Sequence, residues 1–211
     1  MEKWKTYAFV GPTWWWKTTT ASLMARLYDP SDGKIILNGR DIRSYDNVER
    51  AKKIWFILQE PFLFTWNIRE NILYWNDKYF NYSNEELLKE LENKSLADLL
   101  SKFGKWLETE TNSGISLGQK QIIAFIRAIL KSPDLLILDE ATANIDTITE
   151  QILEDILKKL PANTTKVIIA HRLNTIKNAD SIFFVNSWII TPTWSMEHAL
   201  DMLLHGKREN D

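Results

Sequence analysis

Residues 135–138, Leu-Leu-Ile-Leu, form an unbroken apolar run closed by two carboxylates, Asp139 and Glu140, and this segment constrains the fold more than any other. A strand without apolar–polar alternation is buried on both faces, which requires a sheet covered by helices on each side. Residues 7–10, 34–37, 54–58, 166–170 and 182–185 read as further strands, and helical patterns fill the intervals between them. That alternation predicts an α/β fold with a mostly parallel sheet. Residues 18–28 read as a helix with Leu23, Met24 and Leu27 on one face, while 29–33 form a turn cluster and Asn38-Gly39 a tight turn. Residues 83–103 and 119–130 are helical and charge-rich or amphipathic. Residues 73–129 therefore read as a helical insertion between two parts of the core, 1–72 and 130–211.

A length of 211 residues is enough for one domain carrying a small inserted subdomain. A net charge of −2 excludes a broad basic surface, so no nucleic acid partner is expected. The absence of cysteine excludes disulfides and thiolate metal sites and fits a reducing compartment. There is no apolar run of about 18 residues to cross a membrane, and the start of the chain has no secretory signal. A membrane role would need spans supplied by other segments or chains.

The chemistry begins between the first strand and the first helix. Gly11-Pro12-Thr13-Trp14-Trp15-Trp16-Lys17-Thr18, followed by Thr19, fits G-x-x-x-x-G-K-[ST] except at Trp16. In such a loop the main-chain N–H groups and a helix N-terminus surround phosphates, the lysine adds a point charge, and the hydroxyl reaches Mg²⁺. The loop needs residues that accept positive φ and allow close approach of the ligand, and three indoles oppose both. Alone, Lys-Thr-Thr is an ordinary capped helix start. Asp139 and Glu140 change that reading, because the carboxyl ends of strands are where open α/β sheets bind ligands. Asp139 can hold Mg²⁺ through water, and Glu140 can orient or deprotonate an attacking water.

Six motifs in order resemble the nucleotide-binding domain of ABC transporters over nearly the whole chain. Residues 11–18 resemble Walker A, 135–140 Walker B, and Gln59 the Q-loop. Residues 115–119 resemble the LSGGQ signature, with Leu117 in place of its first glycine. Residues 143–146 resemble the D-loop, and His171 the switch histidine. Residues 63–72 resemble the exporter-type stretch. The resemblance implies a P-loop NTPase (RecA-like) core with an inserted helical subdomain, ATP and Mg²⁺ as cofactors, and ATP hydrolysis driving transport. Lys17 would bind the β- and γ-phosphates, Thr18 and Gln59 would serve Mg²⁺, Glu140 would be the general base, and His171 would contact the γ-phosphate. Ser116, Gly118 and Gln119 would act on ATP held by a second such domain, in a homo- or heterodimer with Asp146 at its interface. Transmembrane domains would be the other partners, placing the chain at the cytoplasmic face of the cell membrane. The family's adenine-stacking aromatic lies on antiparallel strands upstream of Walker A, and those strands are partly missing here. The chain thus reads as the C-terminal part of a longer polypeptide, peripheral as it stands and integral when complete. A degenerate scaffold domain and a non-transport ABC ATPase are the alternative readings.

The chain has 10 tryptophans and 7 glycines, whereas ordinary usage would give about 15 glycines. All ten tryptophans (Trp4, Trp14, Trp15, Trp16, Trp55, Trp66, Trp75, Trp106, Trp188 and Trp194) fall where the resembled family commonly carries glycine. Trp4 is expected in the strand before Walker A, and Trp188 and Trp194 in a closing turn region. A gene whose UGA codons mean glycine, read as tryptophan, would produce this pattern, and then all ten codons are UGA. Degeneration would instead have eroded Lys17, Gln59, Asp139, Glu140 and His171, which are intact.

Overall fold

A computed structural model of the chain describes residues 1–12, 16–97, 106–111, 114–139, 157–169, 178–186, 189–193 and 195–205, together with 151, 155 and 176. Backbone packing divides it into two units, one of residues 1–56, 133–140 and 163–211, the other of 57–132 and 141–162.

The first unit is built on a sheet in the order β4-β5-β6-β1-β7-β8. Its strands are β1 (Thr6–Val10), β4 (Ile54–Ile57, whose last residue belongs to the second unit), β5 (Leu135–Asp139), β6 (Thr165–Ile169), β7 (Ser181–Asn186) and β8 (Ile189–Thr193). Strands β5, β6, β1 and β7 run parallel, and β8 returns antiparallel along β7. All five residues of β5 are buried, as its unbroken apolar sequence requires. Helix α1 (Trp16–Met24) lays Ala21 against a core that includes Tyr7, Phe9, Ile137, Val167 and Ile169. A short hairpin, β2 (Ile36–Leu37) and β3 (Arg40–Asp41), turns at Asn38-Gly39, both in left-handed backbone. Helix α2 (Asn47–Lys53) precedes β4.

The second unit contains α3 (Ile68–Ile72), α4 (Asn84–Asn93) and α5 (Leu117–Lys131). Each opens on a capping box: Asn67 with Glu70, Ser83 with Glu86, Ser116 with Gln119. The reciprocal bonds satisfy N–H groups that a helix start leaves without partners. Helix α4 ends at Asn93, where Ser95 takes a left-handed conformation; residue 97 is helical again, and 98–103, the rest of the expected helical stretch, lie outside the described residues. Helix α6 (Met196–His205) packs on β7 and β8 in the first unit. Among the described residues no helix is long and apolar enough to cross a membrane.

Among the described residues, two tryptophans sit in backbone that disfavours them. Trp4 has φ 66° and Trp75 φ 54°, and their residues are 65% and 54% exposed. Trp4 thus lies in a left-handed turn ahead of β1, which begins at Thr6, and not in the strand as the sequence suggested. A side chain in left-handed backbone costs about 1–2 kcal/mol, and only glycine escapes it. Trp4→Gly is expected to raise stability by about 0.5–1 kcal/mol after allowance for glycine's greater unfolded-state freedom. Trp75→Gly should gain less, because its indole lies under the Lys131 ammonium at 5.7 Å. Urea midpoints of the two variants check both values. By contrast, Trp55 lies inside β4 and Trp16 inside α1, where regular backbone gives glycine no advantage. Trp188 and Trp194 lie outside the described residues.

Candidate functional site

The carboxyl edge of the parallel sheet brings two distant segments to one level. Phe9 of β1 and Asp139 of β5 both pair with Ile169 of β6, so the loop leaving β1 and the carboxylate ending β5 flank the same strand end. Gly11 starts that loop with φ 155°, and a Cβ there would stand 2.1 Å from the Val185 carbonyl oxygen. The chain leaves the sheet so close to β7 that no side chain fits.

Lys17, in the first turn of α1, is 2% exposed, and its Nζ donates to the main-chain oxygens of Gly11 at 3.0 Å and Pro12 at 2.7 Å. A buried ammonium must be paired, and here the carbonyls of its own loop pair it. A phosphate adds a full charge–charge attraction that neutral carbonyls lack, so it would compete well for this lysine. Thr18 Oγ1 donates to Asp139 Oδ1 at 3.3 Å across 121 residues of sequence. Asp139 is buried, and Thr18 and Thr19 are exposed beside it. A hydroxyl and a carboxylate in contact form an all-oxygen donor set, which suits Mg²⁺ and not a softer metal.

Trp16 departs from expectation. It opens α1, so its backbone is helical and requires no positive φ, and its partly buried indole packs on the core of the first unit. The steric objection to an indole at this position therefore rests on ligand approach alone. Thr13, Trp14, Trp15, Glu140, Asp146 and His171 lie outside the described residues.

Three of the remaining expected residues cluster at the start of α5 in the second unit, and a fourth, Gln59, is tied to that helix further along. Ser116 Oγ accepts from the Gln119 N–H at 3.2 Å, and Gln119 Oε1 accepts from the Ser116 N–H at 2.9 Å. Gly118 is buried in the first turn of α5. The main-chain oxygen of Gln59 accepts from Gln121 Nε2 at 3.0 Å.

Sequence reasoning missed a buried clasp in the same unit. Arg127 of α5 donates through Nε to the Asn71 carbonyl at 2.6 Å and through Nη2 to Asn71 Oδ1 at 3.1 Å. Asn71 Nδ2 in turn donates to Phe64 O, Asn67 O and Thr111 Oγ1, at 3.0, 3.0 and 3.1 Å. Burial pulls the Arg127 guanidinium down to about 10 from its usual value, opposed by Tyr74. The clasp supports an aromatic surface in which Phe64 stacks on Trp66 at 4.2 Å and Phe62 and Phe80 are 69% and 67% exposed. A cavity of about 470 Å³ opens beside it, lined by Trp66, Leu73, Tyr74, Trp75 and Phe80. The only sequence signal for the clasp was an arginine inside an otherwise apolar helix face.

A profile of the ABC transporter family matches residues 1–143. The chain is 47% identical over 175 residues to YfiC of Bacillus subtilis, an uncharacterised ABC transporter ATP-binding protein, covering 83% of this chain and 29% of that one. It is 40% identical over 178 residues to the mouse mitochondrial ATP-binding cassette sub-family B member 10, covering 83% and 25%. It is 38% identical over 185 residues to multidrug resistance protein 1 of Entamoeba histolytica, covering 86% and 14%. The chain therefore spans less than a third of the length of each of these three relatives.

Proposed function

The chain belongs to the ABC transporter family, and from that premise we propose that it binds and hydrolyses ATP to drive an exporter-type transporter. The contact between Thr18 and Asp139, beside the Lys17 loop, carries the reading. Lys17 would exchange the carbonyls of Gly11 and Pro12 for phosphate oxygens, with residues 11–19 as the phosphate cradle. Thr18 and Asp139, joined by Gln59, would hold Mg²⁺, which neutralises charge developing on the phosphates. Glu140 would take the proton of the attacking water, and His171 would contact the γ-phosphate. Ser116, Gly118 and Gln119 would address the nucleotide of a second domain across an interface that includes Asp146, with residues 73–129 as the helical subdomain.

The names of the relatives support transport as the purpose of hydrolysis. The exposed aromatic surface of the second unit supports docking against transmembrane domains, at the cytoplasmic face of a membrane. We read the ten tryptophans as glycine in the native protein, supported by the left-handed backbone of Trp4 and Trp75. A second reading, a scaffold that does not hydrolyse, is favoured by one observation: the indole of Trp16 packs on the core where the loop pattern has glycine.

Phosphate release from the chain with glycine at all ten positions tests the enzymatic reading. Glu140→Gln should lower turnover by about 100- to 10,000-fold while nucleotide binding persists, the range expected for loss of a general base. Hydrolysis by the variant at the parent rate would refute the role given to Glu140.

A further inference from the structure

Gln121 is the last polar residue before an apolar stretch. It is wholly buried on α5, ahead of Ile122, Ile123, Ala124, Phe125 and Ile126. Its Nε2 makes the single bond to the Gln59 carbonyl, and its Oε1 has no partner among the described residues. A buried amide that satisfies only one side is a poor device for stability, because an unmet acceptor costs about as much as the one bond returns. An apolar side chain of the same shape would remove the unmet acceptor, and the carbonyl of Gln59, a half-buried residue, could turn to water.

We propose that Gln121 is a positioning residue that ties the main chain of Gln59 to the helix bearing Ser116 and Gln119. The proposal rests on the function given above, in which Gln59 responds to the metal and nucleotide of its own chain. Gln121 follows Gln119 by two residues, within the first two turns of α5. A shift of the Gln59 carbonyl therefore pulls directly on the segment whose capping box presents Ser116 and Gln119. Both ends of the bond are neutral and lie in one unit, so the link can be strained and remade without stranding a charge.

Hydrogen–deuterium exchange on the full chain with glycine at the ten tryptophan positions, too dilute to dimerise, tests the link with Mg-ATP as the probe. In the parent, Mg-ATP should slow exchange in residues 57–61 and also in 115–120, each by at least about fivefold. Gln121→Met matches the side chain in length and donates nothing. It should keep the melting temperature and the response at 57–61 and lose the response at 115–120. A variant that retains both responses overturns the proposal and leaves the ATPase reading intact. So does a parent that responds at 57–61 alone. A marked drop in melting temperature in Gln121→Met also overturns it, since the amide would then serve stability. No response at either segment in the parent is a different failure, that of the ATP-binding reading.

Discussion

Glycine at positions 14, 15 and 16 together is expected to raise the affinity for Mg-ATP by at least about 100-fold over the chain with three tryptophans, or about 2.7 kcal/mol. The gain comes from access. Phosphate oxygens must come within about 3 Å of main-chain N–H groups, and glycine leaves those groups with no side chain beside them. Lys17 is already placed to respond, its ammonium held by two neutral carbonyls that a phosphate would displace. The three positions do not contribute alike. Trp16 has helical backbone and an indole that packs on the core, so glycine there gives up buried apolar area and a helical residue of better propensity. The triple variant should therefore bind nucleotide better while its nucleotide-free form melts lower, and a titration paired with a thermal melt reads both effects.

Gly11→Ala is expected to cost more than about 3 kcal/mol, enough to leave little folded protein in a domain of ordinary stability. The added Cβ would meet the Val185 carbonyl oxygen at 2.1 Å and its carbon at 3.1 Å, and both are backbone. Neither side can yield cheaply. Val10 pairs with Phe184 in the β1–β7 ladder, and Val185 pairs with Ile190 in the β7–β8 ladder, so relief of the clash would break the sheet along β7. Gly33→Ala supplies the contrast: φ is 78° and nothing lies within 4 Å of the added methyl. It should cost about 1 kcal/mol, the price of left-handed backbone alone. Equilibrium urea unfolding of the two variants separates a steric requirement from a conformational one. A Gly11→Ala protein as stable as the parent would mean that the loop does not leave β1 in this way.

The buried half of the fold was legible because burial writes itself into sequence. Residues 135–138 lie in a strand covered on both faces, and residues 119–130 lie inside α5, which extends two residues earlier to Leu117 and one later to Lys131. Elements that bury little left little trace. Helix α2 has no buried residue, so no apolar face marked it in the sequence. Strand β8 exposes Ile189 and Ile190 and carries Pro192, which an edge strand tolerates, so it read as a turn. Helix α1 stops at Met24, and not at the expected residue 28, because Arg26 turns left-handed, a choice its own sequence does not signal. At the site, Lys17, Thr18 and Asp139 were found from motif spacing, since one strand–turn–helix and one strand end determine their places. The Asn71–Arg127 clasp and the bond from Gln121 to Gln59 join residues 56 and 62 apart, and no local pattern encodes such pairs.

Calorimetric titration of Mg-ATP into the chain with glycine at its ten tryptophan positions, and into the same chain carrying Lys17→Ala, is the most direct test of the phosphate cradle. The account predicts one saturable site per chain in the first protein and its loss in the second, with the fold of both retained. Equal binding in the two would contradict it, and so would no binding in the first.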